Sequence, residues 1–201
     1  MEHSANHITL CGSLAELPEY SHKNHEKRFY RFLLEVERLS GAVDLLPVVV
    51  SEEVLCAMDL SGGSMLQVTG QIRSFNSRNT TGRKLIISVY AESLTALEGE
   101  AVNDVALTGV VCKSPVYRRT PLGREICDVM LAVNRPYHRT DYIPCIFWGK
   151  TAAVIRQAQV GQTVSLTGRL QSRSYIKVLE EGNEQRTAYE VSAITGEILE
   201  E

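Results

Sequence analysis

The 201-residue chain carries Lys+Arg 21 against Asp+Glu 24, a formal charge of −3, with 44% hydrophobic and 22% charged residues. These values exclude a mostly disordered chain, and no run approaches the roughly 18–20 consecutive apolar residues that span a bilayer. Met1-Glu2-His3-Ser4-Ala5-Asn6-His7 shows no basic region followed by an apolar one, so no membrane partner and a cytoplasmic location are expected.

From the amino terminus, Asn6-His7-Ile8-Thr9-Leu10-Cys11-Gly12 alternates as a strand ending on glycine. His22 and His25 have H-x-x-H spacing inside the polar segment Tyr20–Lys27, with no cysteine or third histidine close in sequence. A solvated hairpin loop is expected there in preference to a zinc site. A helix is predicted over Ser51–Leu60, stopped by Gly62-Gly63, and a turn at Asn79-Thr80-Thr81-Gly82. Leu97-Glu98-Gly99-Glu100-Ala101 reads as a short boundary.

Beyond it the pattern starts again. Asn103-Asp104-Val105-Ala106-Leu107-Thr108-Gly109 repeats N-x-(I/V)-x-L-x-G at an offset of 97 residues, Asn6 falling on Asn103. Leu34, Val36, Arg38 and Pro47 fall on Leu131, Val133, Arg135 and Pro144 at the same offset. With one residue inserted, Val68–Ser74 falls on Leu166–Ser172. Chance does not hold an offset of 97, shifted by a single insertion, through four separated blocks, so the chain is a tandem duplication. In the second copy Val105–Val111 is predicted as a strand, followed by a hairpin turn at Pro121-Leu122-Gly123 and strands at Ile126–Val133 and Tyr142–Phe147. A helix at Lys150–Gln157 is stopped by Gly161. Val164–Leu170 and Arg173–Val178 are predicted as a further strand pair turned back through Glu180–Asn183, and Thr187–Ala193 closes the unit. Five strands with one helix between the third and fourth make an OB-fold barrel. The expected architecture is all-β: two tandem OB-folds, one over 1–98 and one over 102–201.

Charge divides unequally between the copies. Residues 1–100 sum to −4 and residues 101–201 to +1, and Lys113–Arg139 holds six basic residues against two acidic. A low net charge speaks against nucleic-acid binding, but here it averages an acidic half with a locally basic one. The five cysteines form no C-x-x-C pair and read as small buried hydrophobes in a reducing compartment. There is no nucleophile elbow and no phosphate-loop fingerprint. Catalytic, metal and cofactor residues are therefore not expected, and the chain is read as no enzyme.

At Asn103–Gly109, Asp128–Val133, Asp141–Ala152 and Val160–Tyr175 the second copy resembles the bacterial single-stranded DNA-binding protein family, whose blocks occur here in the same order. The first copy keeps only the opening strand and the block Gly70–Ser74, like a divergent or primosomal-type relative. The resemblance implies base-stacking rings at Tyr142, Trp148, Tyr175 and Tyr137, and phosphate contacts from Arg118, Arg173 and Lys150, with Arg135, Arg139 and Arg169 as weaker candidates. The chemistry agrees: a protein that holds any sequence needs a contact every base offers. Stacking contributes roughly 1–3 kcal/mol per base, and Lys and Arg add a salt-dependent phosphate term. Arg135, Tyr137, Arg139, Tyr142, Trp148, Lys150, Arg173, Tyr175 and Lys177 interleave both groups. Phe147 and Trp148, as strand neighbours, point to opposite faces, and the resemblance selects Trp148 for the exposed one.

In the first copy Leu45, Ser51 and Ser77 stand where the second has Tyr142, Trp148 and Tyr175. Phe75 and the run Phe29-Tyr30-Arg31-Phe32 remain, but alternation draws the run partly into the core. This half is expected to be a structural or assembly module, with Arg73, Arg78, Arg83 and Lys84 leaving room for a minor contact. The loop joining the second and third strands, Asn134–Thr140, is shorter than the family's long hairpin. Gly196–Glu201 is acidic without the Pro-Phe ending through which the family recruits replication and repair proteins. Expected overall is non-specific binding and protection of single-stranded DNA in replication, recombination or repair, by a homodimer that reaches the family's four barrels. The alternatives are a primosome-like adaptor for replication proteins, and single-stranded RNA binding.

Overall fold

Asparagine opens both repeats for a reason visible in the computed structural model, which describes residues 6–77, 84–96, 99–179 and 182–200. In β1 (Asn6–Leu14) the Asn6 amide brackets the backbone of one residue of β5 (Met65–Ser77), accepting from Ile72 N–H at 2.9 Å and donating to Ile72 O at 2.8 Å. In β7 (Val102–Val111) Asn103 does the same to Leu170 in β11 (Thr163–Leu179), at 2.9 and 2.7 Å. Each clamp fixes the first strand of a barrel against its fourth.

The rest of the first barrel is β2 (Glu19–Asn24), β3 (Lys27–Glu37), β4 (Val43–Ser51), α1 (Glu52–Leu55) and β6 (Lys84–Ala96). The second follows with β8 (Val116–Arg119), β9 (Glu125–Arg135), β10 (Arg139–Trp148), α2 (Gly149–Ile155) and β12 (Gly182–Ile198). Strands pair in the order β1-β3-β4-β6-β5 and close on β1, with β4–β6 parallel; β7-β9-β10-β12-β11 closes on β7 in the same way, with β10–β12 parallel. Two five-stranded barrels with a helix after the third strand are tandem OB-folds, and β2 and β8 are short additional strands on β3 and β9. Alternation fills each interior: in β5 Leu66, Val68 and Ile72 point inward, in β10 Ile143, Cys145 and Phe147. The repeated Thr-Gly marks a register shift in each barrel, at Thr69/Gly70 and Thr167/Gly168. A side chain at Gly168 would run into the carbonyl of Ser192, so the strands approach this closely only at glycine.

The barrels meet through β1 and β7, antiparallel, with Asn6 opposite Leu107 and Leu10 opposite Asn103. Ile8 faces Val105, its own equivalent at the 97-residue offset, so a pseudo-twofold axis passes between them. The chain is an isologous dimer of barrels joined in one polypeptide. Two buried bolts obey the same axis. Asp44 accepts from Arg38 Nε and Nη2 at 2.6 Å each and, across the interface, from Ser172 N–H and Oγ at 2.7 Å each. Its equivalent Asp141 pairs with Arg135 at 2.7 Å and accepts from Ser74 N–H at 2.7 Å, while Ser74 Oγ accepts from Tyr142 N–H.

Several expectations are corrected. Val164–Leu170 and Arg173–Val178 are parts of one 17-residue strand, β11, paired along its length with β12. Nothing at Gln171-Ser172 can turn the chain, and the Asp44 bolt holds Ser172 in extended form. The first helix is four residues long and buries none of them, whereas α2 buries Ala152 and Ile155. A short helix without an apolar face to bury does not propagate. His22 sits on β2, its ring stacked on Phe29 at 4.9 Å, and the turn is made by His25 and Glu26, both at positive φ. Cys56 is exposed, unlike Cys11, Cys127 and Cys145. Predicted features at Asn79–Gly82, Arg78, Arg83, Leu97-Glu98 and Glu180-Glu181, and the side chains of Lys84 and Lys177, lie outside the described residues.

Candidate nucleic-acid interface

Alternation along β10 decides what the second barrel shows to solvent. Asp141, Ile143, Cys145 and Phe147 point inward, each at most 3% exposed, so Tyr142 and Trp148 fall on the opposite face. Tyr142 is 42% exposed. Trp148 lies six positions further on, which places the two residues about 20 Å apart along the strand. Trp148 is half-buried and donates from Nε1 to Ser192 Oγ at 3.0 Å, which fixes the indole at the start of α2. Across the sheet Trp148 stands opposite Ile126, and Ile126 opposite Arg118 on β8. Arg118 reaches Asp128 with Nε at 2.7 Å and Nη2 at 3.4 Å, and this carboxylate raises its pKa. The face thus carries two rings and a guanidinium oriented from below. Lys150 is exposed one residue beyond the Trp148-Gly149 step.

Arg173 and Tyr175 lie further out on β11. The Arg173 guanidinium is 5.8 Å from the Tyr175 ring centre and 3.6 Å from the Glu190 carboxylate, which Gln171 Nε2 also meets at 3.1 Å. Tyr137 occupies the tip of the three-residue turn between β9 and β10, 92% exposed and at positive φ together with His138. Arg139 is exposed beside that turn. Arg135 is tied to Asp141, with 19% of its side chain exposed. Arg169 is half-buried on β11 opposite Ser192. Glu190, Gln171 and Ser192, which position Arg173 and Trp148, went unnoticed in the sequence because a buried Glu, Gln or Ser has no pattern of its own. Burial pushes the Cys127 thiol up to about 11, with Asp128 adding to the shift. No group of His, Cys, Asp and Glu that could hold a metal ion occurs among the described residues.

The family model described as the single-strand binding protein family matches residues 102–199. Single-stranded DNA-binding protein B of Bacillus subtilis is 39% identical over 80 residues, covering 36% of this chain and 71% of that protein. The chain belongs to the single-strand binding protein family. Single-stranded DNA-binding protein 3 of Listeria innocua is 34% identical over 106 residues, 49% of this chain and 62% of its own length. The chain spans between 61% and 71% of these relatives and the Halalkalibacterium halodurans one. The wild-type single-stranded DNA binding protein from Thermus aquaticus superposes with a TM-score of 0.82 at 22% identity, over 100% of this chain and 95% of that one. The family's fold therefore extends over both barrels, although the family model matches only the second.

Proposed function

We propose that this chain binds and protects single-stranded DNA without sequence preference, chiefly through the β8–β9–β10 face of its second barrel. One observation carries the reading: on a single face, Tyr142 and the half-buried Trp148 turn their rings outward, with Arg118 two strands from Trp148, the combination of stacking platform and phosphate contact that sequence-tolerant binding needs. Tyr175 with Arg173 extends the track along β11, and Lys150 and Tyr137 flank it. Two such chains paired about a further twofold axis give four barrels, so a cytoplasmic homodimer belongs to the proposal; a monomer mass in light scattering removes that part. Replication and repair proteins are secondary partners.

Trp148 is the only tryptophan, so titration with oligo-dT at two salt concentrations reads the face directly. Its fluorescence falls as a base stacks, and affinity weakens as salt rises. An unquenched Trp148 at high micromolar DNA refutes the proposal and favours the protein-binding adaptor. A matched RNA oligomer that binds more tightly assigns the face to RNA.

A further inference from the structure

Tyr142 stands on a stretch of β10 that the second barrel pairs on one edge only. β9 runs beside β10 along its whole length, from Arg139 to Trp148, but β12 joins it only at Cys145 and Ile146. On the edge before Cys145 the neighbour is the first barrel. Ser74 of β5 meets that edge with two groups: its backbone N–H donates to Asp141 Oδ1 at 2.7 Å, and its Oγ accepts from Tyr142 N–H at 2.7 Å. Ser74 is 9% exposed and Asp141 is fully buried. Arg135 Nε holds the Asp141 carboxylate from the other side at 2.7 Å. One residue of the first barrel thus stands in for a flanking strand on the hairpin that carries Tyr137, Arg139 and Tyr142.

The pseudo-twofold axis supplies an internal control. Ser172 is the equivalent of Ser74, and Asp44 of Asp141. Both serines donate a backbone N–H to the opposite carboxylate, so both bolts are closed in the same way. The hydroxyls are used differently. Ser172 Oγ donates to Asp44 Oδ1 at 2.7 Å, whereas Ser74 Oγ accepts from the amide that follows the aspartate. That following residue is Leu45 at the first bolt and Tyr142 at the second. The serine holds its neighbour's backbone on the side where the neighbour bears a ring.

From this asymmetry we infer that Ser74 is a positioning residue for the second barrel's stacking face: by holding the Tyr142 amide, the first barrel sets the ring of Tyr142 from across the interface. The inference rests on the reading of Tyr142 as a base-stacking ring. It gives the first barrel a part in binding that needs no contact with the strand. A ring held ready lowers the ordering cost of stacking. A buried amide left without its acceptor is costly enough to draw the strand from its place, and the ring moves with it.

The test is a double-mutant cycle in the whole chain, read as affinity for fluorescein-labelled oligo-dT by anisotropy. Ser74→Ala removes the acceptor, and Ser172→Ala is the symmetry-related control; each is combined with Tyr142→Ala. Tyr142→Ala is expected to lose at least about 5-fold in affinity, the worth of one stacked base. Ser74→Ala is expected to lose about 3- to 10-fold when Tyr142 is present and less than about 1.5-fold when it is absent. Ser172→Ala acts additively with Tyr142→Ala. Urea midpoints are measured alongside, because a general weakening of the fold lowers the midpoint without producing the coupling. If Ser74→Ala does not fold, Ser74→Cys keeps the volume with a weaker acceptor and is expected to show the same coupling at about 2- to 5-fold. An equal loss with and without Tyr142, no loss, or an equal coupling of Ser172→Ala to Tyr142 overturns the inference and leaves the proposed face intact. Unchanged affinity in Tyr142→Ala instead removes that ring from the face, and the positioning role with it.

Discussion

Replacing Asp44 by Asn tests whether the two barrels are bolted through buried charge. The carboxylate is fully buried and accepts four hydrogen bonds, two from Arg38 and two from Ser172 of the other barrel. Burial alone pushes its pKa up, yet the hydrogen bonds from Arg38 and Ser172, with the Arg38 charge, hold it below the ordinary value. Breaking a buried pair by removing one partner costs about 3–5 kcal/mol. Arg38 keeps 24% of its side chain exposed and recovers part of its hydration, so about 2–4 kcal/mol is expected. With a urea dependence of about 2–3 kcal/mol per molar, the unfolding midpoint falls by about 1 M. The pH dependence has a definite sign. A depressed carboxyl stabilises the fold fully above its unfolded value of about 3.9, and this contribution fades as pH falls through the lower folded value. The gap between wild type and Asp44→Asn therefore closes in acid. Urea melts followed by Trp148 fluorescence and by circular dichroism, near neutrality and near pH 3, measure both effects. A midpoint within about 0.3 M of wild type near neutrality, or a gap that persists unchanged in acid, refutes the bolt.

Three further outcomes follow from the geometry. Asn103→Ala strips the side-chain hydrogen bonds from Leu170 N–H and C=O and is expected to cost about 2 kcal/mol, read by thermal or urea unfolding. Arg118→Ala removes a pair whose members are 52% and 39% exposed, so stability changes by less than about 1 kcal/mol while oligo-dT affinity falls and its salt dependence flattens. In the folded protein Cys56 reacts with a maleimide well before Cys127, whose buried thiol is pushed up to about 11, and Cys145, raised further by full burial; urea abolishes the difference.

The duplication was legible because barrel closure makes demands that few residues meet. Only glycine passes the crossing strand at Gly70 and Gly168, and only a side-chain amide brackets one residue's N–H and C=O as Asn6 and Asn103 do, so these positions repeat where their neighbours drift. The extent of α1 was not legible. Ser51–Leu60 has helix-forming residues, but the length of a helix depends on what it buries, and that is a property of the barrel beneath it. Arg38 and Arg135 repeat as faithfully as the asparagines. Repetition in a sequence does not distinguish a residue kept for structure from one kept for a ligand, and the ion pair with Asp141 resolves Arg135 toward structure.

The first barrel's loss of aromatics is a loss at particular positions only. Ser51 stands where the second barrel has Trp148, while Tyr90 stands where the second has Ser192. In one barrel a large ring on the third strand leans on a small residue of the fifth; in the other the sizes are exchanged, and Phe29, opposite Ser51, packs against Tyr90. Space between the strands is conserved, so a ring given up on one is replaced from its neighbour. Position-by-position comparison records this as an absence, because the compensating residue sits about forty places away in the sequence and roughly one strand spacing away in the fold.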